Sequence, residues 1–256
     1  MTETLTPVVP AEWAPQAAIW TAWPANLNEW NGDLATPRQD VAALVTALAE
    51  SNHVRLLVNG EEAASTALAA VGDKAELVSA RYGDIWLRDT GPIFAHVGNR
   101  RVALRFKTNS WGGKYDLPDD LTVGDTMAEM AGTPIRRFDF VLEGGAVDHD
   151  GQGTILATRQ TLLNPNRNGW TAEQAEAALS EAFGMKKLIW VDEGLIGDHT
   201  DGHIDNIARF VGPGRVVCQA PAGEDDPNAA ILDAIAARLS GATDAAGRRI
   251  EVIRIP

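Results

Sequence analysis

The sequence has 256 residues, 45% of them hydrophobic and 22% charged, a globular balance that excludes intrinsic disorder as the main state. Lys and Arg number 22 against 35 Asp and Glu, and the formal net charge of −13 repels phosphate backbones, which argues against a nucleic-acid partner. A single cysteine excludes a disulfide framework and any multi-cysteine zinc or iron–sulfur site, and it suits a reducing cytosol.

The N-terminal stretch MTETLTPVVPAEW has neither a basic segment nor an apolar one, so no secretion leader is expected. No later apolar run is long enough to cross a bilayer, and the expected setting is cytoplasmic, with no membrane partner. AAIWTAW is the first β-type run. A helix follows from Pro37 through VAALVTALAE, with Thr36 as N-cap and proline at the first helical position. HVRLLV, AELVSA, PIFAHV and RVALRF are further strands, the last two joined as a hairpin through a glycine-containing turn. TVGDTMAEMAG is a helix closing at Gly132, and IRRFDF and TILATR are strands. TAEQAEAALSEAFG is a helix with Thr171 as N-cap, Gln174 completing a capping box and Gly184 just past its end. KLIWVD, IDNIARFV and RVVCQA are strands, NAAILDAIAARLSG is a helix closing at Gly241, and EVIRIP is a final strand.

The order strand, polar loop, hairpin, helix recurs at a spacing of about fifty residues, the mark of a modular array. ELVSA opens one unit, IRRFDF the next and KLIWVD the third, while EVIRIP opens a fresh one that stops at Pro256. No linker or low-complexity stretch divides the chain. A single domain over residues 1–256, made of ββαβ-like modules with the last one cut off, is the organisation expected.

The polar segment after the first strand of each unit gathers the unusual residues: DIWLRDTGP, VLEGGAV and GDHTDGHIDNIARF. If the modules form a ring, these loops converge on one axis and build one site. His199, Asp201, His203 and Asp205 alternate, and residues two apart on an extended strand face one side. His203 could exchange protons near neutral pH while Asp205 anchors a cation; equally, the four could cap a polar strand end. A zinc or manganese site is a third reading of the same four, against which His53, His96 and His149 stand isolated in the sequence.

Glu143 precedes two glycines, which suits either a close approach of backbone to ligand or an exposed turn. Asp89 lies in Asp-Thr-Gly-Pro, ordinary turn chemistry. Trp86, three residues earlier, is either core or a face on which a planar cation stacks. Trp111 stands before the paired glycines of TNSWGGKYD. Cys218, inside RVVCQA with no neighbouring His or Lys, reads as a buried, inert thiol. Several carboxylates, a histidine and a tryptophan around one axis suit a guanidinium, a planar permanent cation whose N–H fork carboxylates hold bidentately.

WPxN at Trp23, DIWLRDTGP, SWGG, LEGG and DGHIDNIARF, in that order, resemble the agmatine deiminase/bacterial-type peptidyl-arginine deiminase family, from about Trp13 to the end of the chain. The resemblance implies an α/β fold, a pseudo-fivefold α/β propeller of ββαβ modules, of which about four of five are present here. It implies hydrolytic deimination of a small cationic guanidine, with no metal and no organic cofactor. Agmatine is the expected substrate, giving N-carbamoylputrescine plus ammonia on a route to putrescine and the polyamines. Peptidyl-arginine or another guanidine is the alternative. By motif, Asp89 and Asp205 grip the guanidinium nitrogens, and His203 is the general acid/base. Glu143 pairs with His203 and helps bind substrate, and Trp86 and Trp111 wall the pocket. The family's nucleophilic cysteine belongs to a Gly-rich loop in the last module, so the role does not pass to Cys218 and the thiol is expected beyond Pro256. This chain alone is then expected to be inactive. A non-catalytic guanidine-binding fragment stays open, and a homodimer is the expected assembly.

Overall fold

The computed structural model describes residues 6–223 and 225–256; the first five residues of the segment read for a leader lie outside them. The first sheet combines β1 (Ile19–Ala22), β2 (Val54–Val58) and β3 (Glu76–Ser79), connected by helices α1 (Ala35–Leu48) and α2 (Glu61–Val71). Both pairings are parallel, with Thr21 opposite Leu56 and Leu56 opposite Leu77, as helical crossovers require.

A one-turn helix, α3 (Leu87–Thr90), leads into an antiparallel hairpin of β4 (Ile93–Val97) and β5 (Arg100–Lys107). The chain then turns at α4 (Ser110–Gly113), runs through α5 (Asp120–Met130) and returns as β6 (Ile135–Val141) parallel to β5. The pattern recurs as β7 (Val147–His149), β8 (Thr154–Thr158), the short α6 (Arg159–Leu162), α7 (Ala172–Phe183) and β9 (Lys187–Val191). It appears again as β10 (Ala208–Gly212), β11 (Arg215–Gln219), α8 (Ala229–Ser240) and β12 (Glu251–Ile255). Four three-stranded sheets result among the described residues, in a mixed α/β fold.

Several sequence expectations need correction. The strands read as opening units, β3, β6, β9 and β12, each close a sheet instead. A helical crossover returns the chain beside the strand it left, where its backbone N–H and C=O groups find partners at once. EVIRIP therefore completes the sheet of β10 and β11. The first sheet is βαβαβ rather than ββαβ, because α2, an Ala-rich segment not read as a helix, intervenes. Thr36 is not the cap of α1. Its hydroxyl donates to Asp33 Oδ2 at 2.8 Å, while Asp33 Oδ1 accepts from the backbone N–H of Ala35. The helix α7 has the expected capping box of Thr171 and Gln174 and a left-handed Gly184.

The chain divides into two compact units. One holds the segment through Ala14, Pro92–Tyr115 and Gly132–Pro256; the other holds Pro15–Gly91 and Asp116–Ala131. In the first, α7 buries Ala175, Leu179, Ala182 and Phe183 along one stripe, into a cluster that includes Leu104, Ile155 and Trp190. A second cluster of that unit packs Leu232, Ile235 and Leu239 of α8 with Val216 and Cys218 of β11. In the other unit, Val41 and Val45 of α1 and Ala63 and Ala67 of α2 pack with Val54, Leu56 and Val58. Each fully buried large aliphatic side chain contributes about 1.5–3 kcal/mol, so these interiors hold the loop-bearing strand ends rigid.

Candidate active site

Strand β6 ends at Val141, and the chain turns immediately through Gly144–Ala146, one 3-10 turn with every residue buried. That turn carries Glu143 inward, leaving it 2% exposed, so the exposed-turn reading of LEGG does not hold. A carboxylate buried this deeply needs a charged partner. Arg167 supplies it: Nε donates to Glu143 Oε1 at 2.8 Å. The rest of the same guanidinium reaches elsewhere. Nη1 donates to Asp201 Oδ2 at 2.6 Å and to Asn166 Oδ1 at 2.8 Å, and Nη2 donates to the Thr200 carbonyl at 3.1 Å. Burial pushes the Glu143 carboxyl up, but the neighbouring His203 and the Arg167 charge outweigh it and hold the group below the ordinary carboxylate range.

The segment holding His199, Asp201, His203 and Asp205 is not extended, so the expected alternation on one strand face fails. Asp198 folds the loop back, its carboxylate accepting from the backbone N–H and the hydroxyl of Thr200. Asp201 and Gly202 both have positive φ, and Ile204–Asn206 form a 3-10 turn before β10 begins. The loop is pinned from below, where Thr158 donates to the Gly202 carbonyl and Thr161 to that of Asp201. The outcome is a division of labour. His199 is exposed, with its ring edge-on to Tyr115 at 6.0 Å. Asp201 turns to Lys114 Nζ at 2.7 Å and to Arg167. Burial raises Asp201, yet the bonds from Lys114, Asn166 and Arg167 bring it down to about 2.

His203, also 2% exposed, faces the other way. Its Nε2 lies 3.9 Å from Glu143 Oε2 and its Nδ1 lies 4.0 Å from Asp205 Oδ1, both longer than hydrogen bonds but close for charges in a dry site. Glu143, His203 and Asp205 are thus brought together. Among the described residues, no three His, Cys, Asp or Glu side chains are grouped so as to hold a metal ion.

Trp111 is buried, with its ring edge-on to Tyr115 at 5.6 Å. Its φ of 55° is left-handed, as is that of Ser110, and Gly112 continues with φ 86°. Asn109 closes this turn by accepting from the Gly112 N–H and donating to the Asn166 carbonyl. A Cβ on Gly112 would strike the Asn166 amide and sit 2.6 Å from Arg167 Nη1, so glycine leaves room for both side chains. Arg167, Asn166 and Lys114 escaped the sequence reading. The signal available was NPNRN, a polar run with two asparagines flanking an arginine, between a short helix and a capped one.

Trp86 and Asp89 belong to the other unit. Trp86 is 52% exposed, and its carbonyl accepts the Asp89 N–H at 3.0 Å at the start of α3. Gly91 ends that turn, where a Cβ would strike the Leu87 carbonyl oxygen. Below it, Asp120 is buried and accepts from the backbone N–H groups of Gly83 and Asp84. Burial, with Asp120 nearby, pushes the Asp84 carboxyl up to about 6. Cys218 is fully buried on β11, and burial pushes its thiol up, as an inert core cysteine requires.

Residues 8–256 match the family of Porphyromonas-type peptidyl-arginine deiminase. The agmatine deiminase of Stutzerimonas stutzeri (strain A1501) is 37% identical over 258 residues, covering 97% of this chain and 70% of that protein. The structure of agmatine deiminase from Enterococcus faecalis aligns with a TM-score of 0.93 at 25% identity, over 100% of this chain and 73% of that one. A substrate-bound agmatine deiminase of C. jejuni aligns with a TM-score of 0.88 at 27% identity, over 100% and 76%.

Proposed function

The chain belongs to the Porphyromonas-type peptidyl-arginine deiminase family, and from that premise we propose that it carries the guanidinium-binding and proton-transfer machinery of a hydrolytic deiminase acting on a small guanidine, agmatine first. The observation that carries this reading is the buried pair Glu143 and His203 with the half-buried Asp205 beside it, two carboxylates flanking one imidazole at loop ends of successive sheets. An acidic site of this kind selects a cation, and a planar one with several N–H donors satisfies more of its oxygens than an ammonium does.

The reaction adds water to the guanidinium carbon and releases ammonia, leaving a ureido group. In this reading a thiolate attacks that carbon while Asp205 accepts N–H bonds from the guanidinium and orients it for the attack. The tetrahedral adduct collapses by losing one nitrogen as ammonia, which His203 protonates on departure. His203, now neutral, takes a proton from water, which adds to the thiouronium carbon and displaces the sulfur. Glu143 holds its negative charge beside His203 through both steps and favours the imidazolium when it forms. Cys218, buried in the core, supplies no accessible thiol for this step. The surrounding architecture, in this reading, is a pseudo-fivefold propeller of which this chain provides about four modules in one domain, acting as a cytoplasmic homodimer.

A second reading, a guanidine-binding protein without turnover, draws its support from the same burial of Cys218. Calorimetry with agmatine, paired with an ammonia-release assay, tests both. Saturable binding of agmatine in preference to putrescine supports the guanidine site, and ammonia release by this chain itself would move the nucleophile back into it. Absence of agmatine binding overturns both readings.

A further inference from the structure

We propose that Arg167 is a positioning residue for the Glu143–His203 pair, a buried guanidinium that engages one oxygen of Glu143, leaves the other directed at His203, and ties Glu143 to the loop on which His203 stands. The inference rests on the reading of Glu143 and His203 given above.

The geometry divides the fork cleanly. Nε takes Glu143 Oε1, Nη1 takes Asp201 Oδ2, and Nη2 takes the Thr200 carbonyl, three residues before His203. The Arg167 side chain is 1% exposed, so these bonds are made away from water, where each is strong and each orphaned group is costly. With Oε1 held by Nε, it is Oε2 that lies 3.9 Å from His203 Nε2. The link to Asp201 and Thr200 fixes the other half of the pair, because Thr200 Oγ1 also accepts the backbone N–H of His203 at 3.1 Å. One side chain therefore sets both the orientation of the acid and the place of the imidazole.

It also sets charge. The charged groups facing this cluster are Glu143 and Asp201 on the fork, Lys114 on the far oxygen of Asp201, and His203 with Asp205 and Asp198 on the loop. Without the guanidinium, Glu143 keeps only His203 to offset its burial, so its carboxyl moves up, and a carboxyl that takes a proton no longer favours an imidazolium beside it. Lysine cannot substitute. Its ammonium is a point charge without the planar spacing that reaches Glu143 and Asp201 together.

The test is a carboxyl titration by NMR on the 256-residue protein labelled with 13C at Glu and Asp side-chain carboxyls, with Glu143 and Asp201 assigned from Glu143→Gln and Asp201→Asn. In Arg167→Met the Glu143 midpoint rises by about one to three pH units. In Arg167→Lys, at least one of Glu143 and Asp201 rises by about one unit or more, because one of them loses its partner. Unchanged midpoints for both carboxylates, in whichever variant retains the wild-type circular dichroism, overturn the proposal. Agmatine calorimetry runs alongside. Loss of binding in the variants with wild-type binding intact supports positioning of the substrate site. A wild-type protein that binds no agmatine refutes the functional reading alone, and the titration still decides the role of Arg167.

Discussion

Oε2 of Glu143 lies 3.9 Å from Nε2 of His203, and both side chains are 2% exposed. Neither group can change charge without the other feeling it, since little water separates or screens them. The Arg167 guanidinium on the opposite oxygen helps keep Glu143 an anion beside His203.

From this pair follows the first prediction. His203→Ala and Asp205→Ala each abolish deimination by the active enzyme while leaving the fold intact. In this chain, Asp205→Ala weakens agmatine binding by about a hundredfold or more, the order expected when one partner of a close charge pair is removed. Ammonia release and calorimetry read the two effects. Wild-type turnover in either variant refutes the assigned roles.

Gly112→Ala tests the packing behind the site. At φ 86°, a Cβ would sit 2.6 Å from Arg167 Nη1. Thermal unfolding should show a loss of about 1–3 kcal/mol, and agmatine affinity should fall with it. A neutral substitution would mean that the guanidinium moves aside at no cost.

Asp84 gives a pH signature of stability. Its carboxyl is held at about 6 against an ordinary 3.8, so between those values the native state keeps a proton that the unfolded chain has released. Stability from this group is present below about pH 4 and lost as pH rises through 6. Asp84→Asn should therefore raise the unfolding midpoint at pH 7 and leave it nearly unchanged at pH 4. Asp201 works in the opposite sense. Depressed to about 2, it contributes stability above pH 4 that is lost as pH falls toward 2, and Asp201→Asn should flatten that acid limb.

Cys218→Ser is expected to leave agmatine binding unchanged and to lower stability by about 1–3 kcal/mol, because a hydroxyl enters a core site otherwise lined by apolar groups. The native thiol should resist a disulfide-exchange reagent until the protein unfolds. Rapid labelling of the folded protein, or lost binding in the serine variant, contradicts an inert role.

Much of the fold was legible locally. The capping box of Thr171 and Gln174 and the glycine stop at Gly184 were read from residues a few positions apart, and such signals act through backbone chemistry that neighbours supply. The hairpin of β4 with β5 was readable for the same reason. What failed was phase. The sequence says that a strand follows a helix, but which sheet receives it depends on the crossover, and β12 lies parallel to β11 with Arg215 opposite Glu251, thirty-six positions away.

The amino-acid sequence by itself determined most of the element types, the acidic character, the inert setting of Cys218 and the ordered motifs that mark the family, because composition, short-range spacing and side-chain chemistry need no tertiary partner to be read. Only the tertiary structure decided how the residues of GDHTDGHID divide. Side-chain bonds from Asp198 and from Thr158 and Thr161 bend the loop, sending Asp201 to Lys114 and Arg167 and His203 to Glu143. Arg167 stayed invisible for the same reason: its partners lie 24 and 34 residues away, and a buried guanidinium acquires its meaning from the carboxylates that folding brings to it.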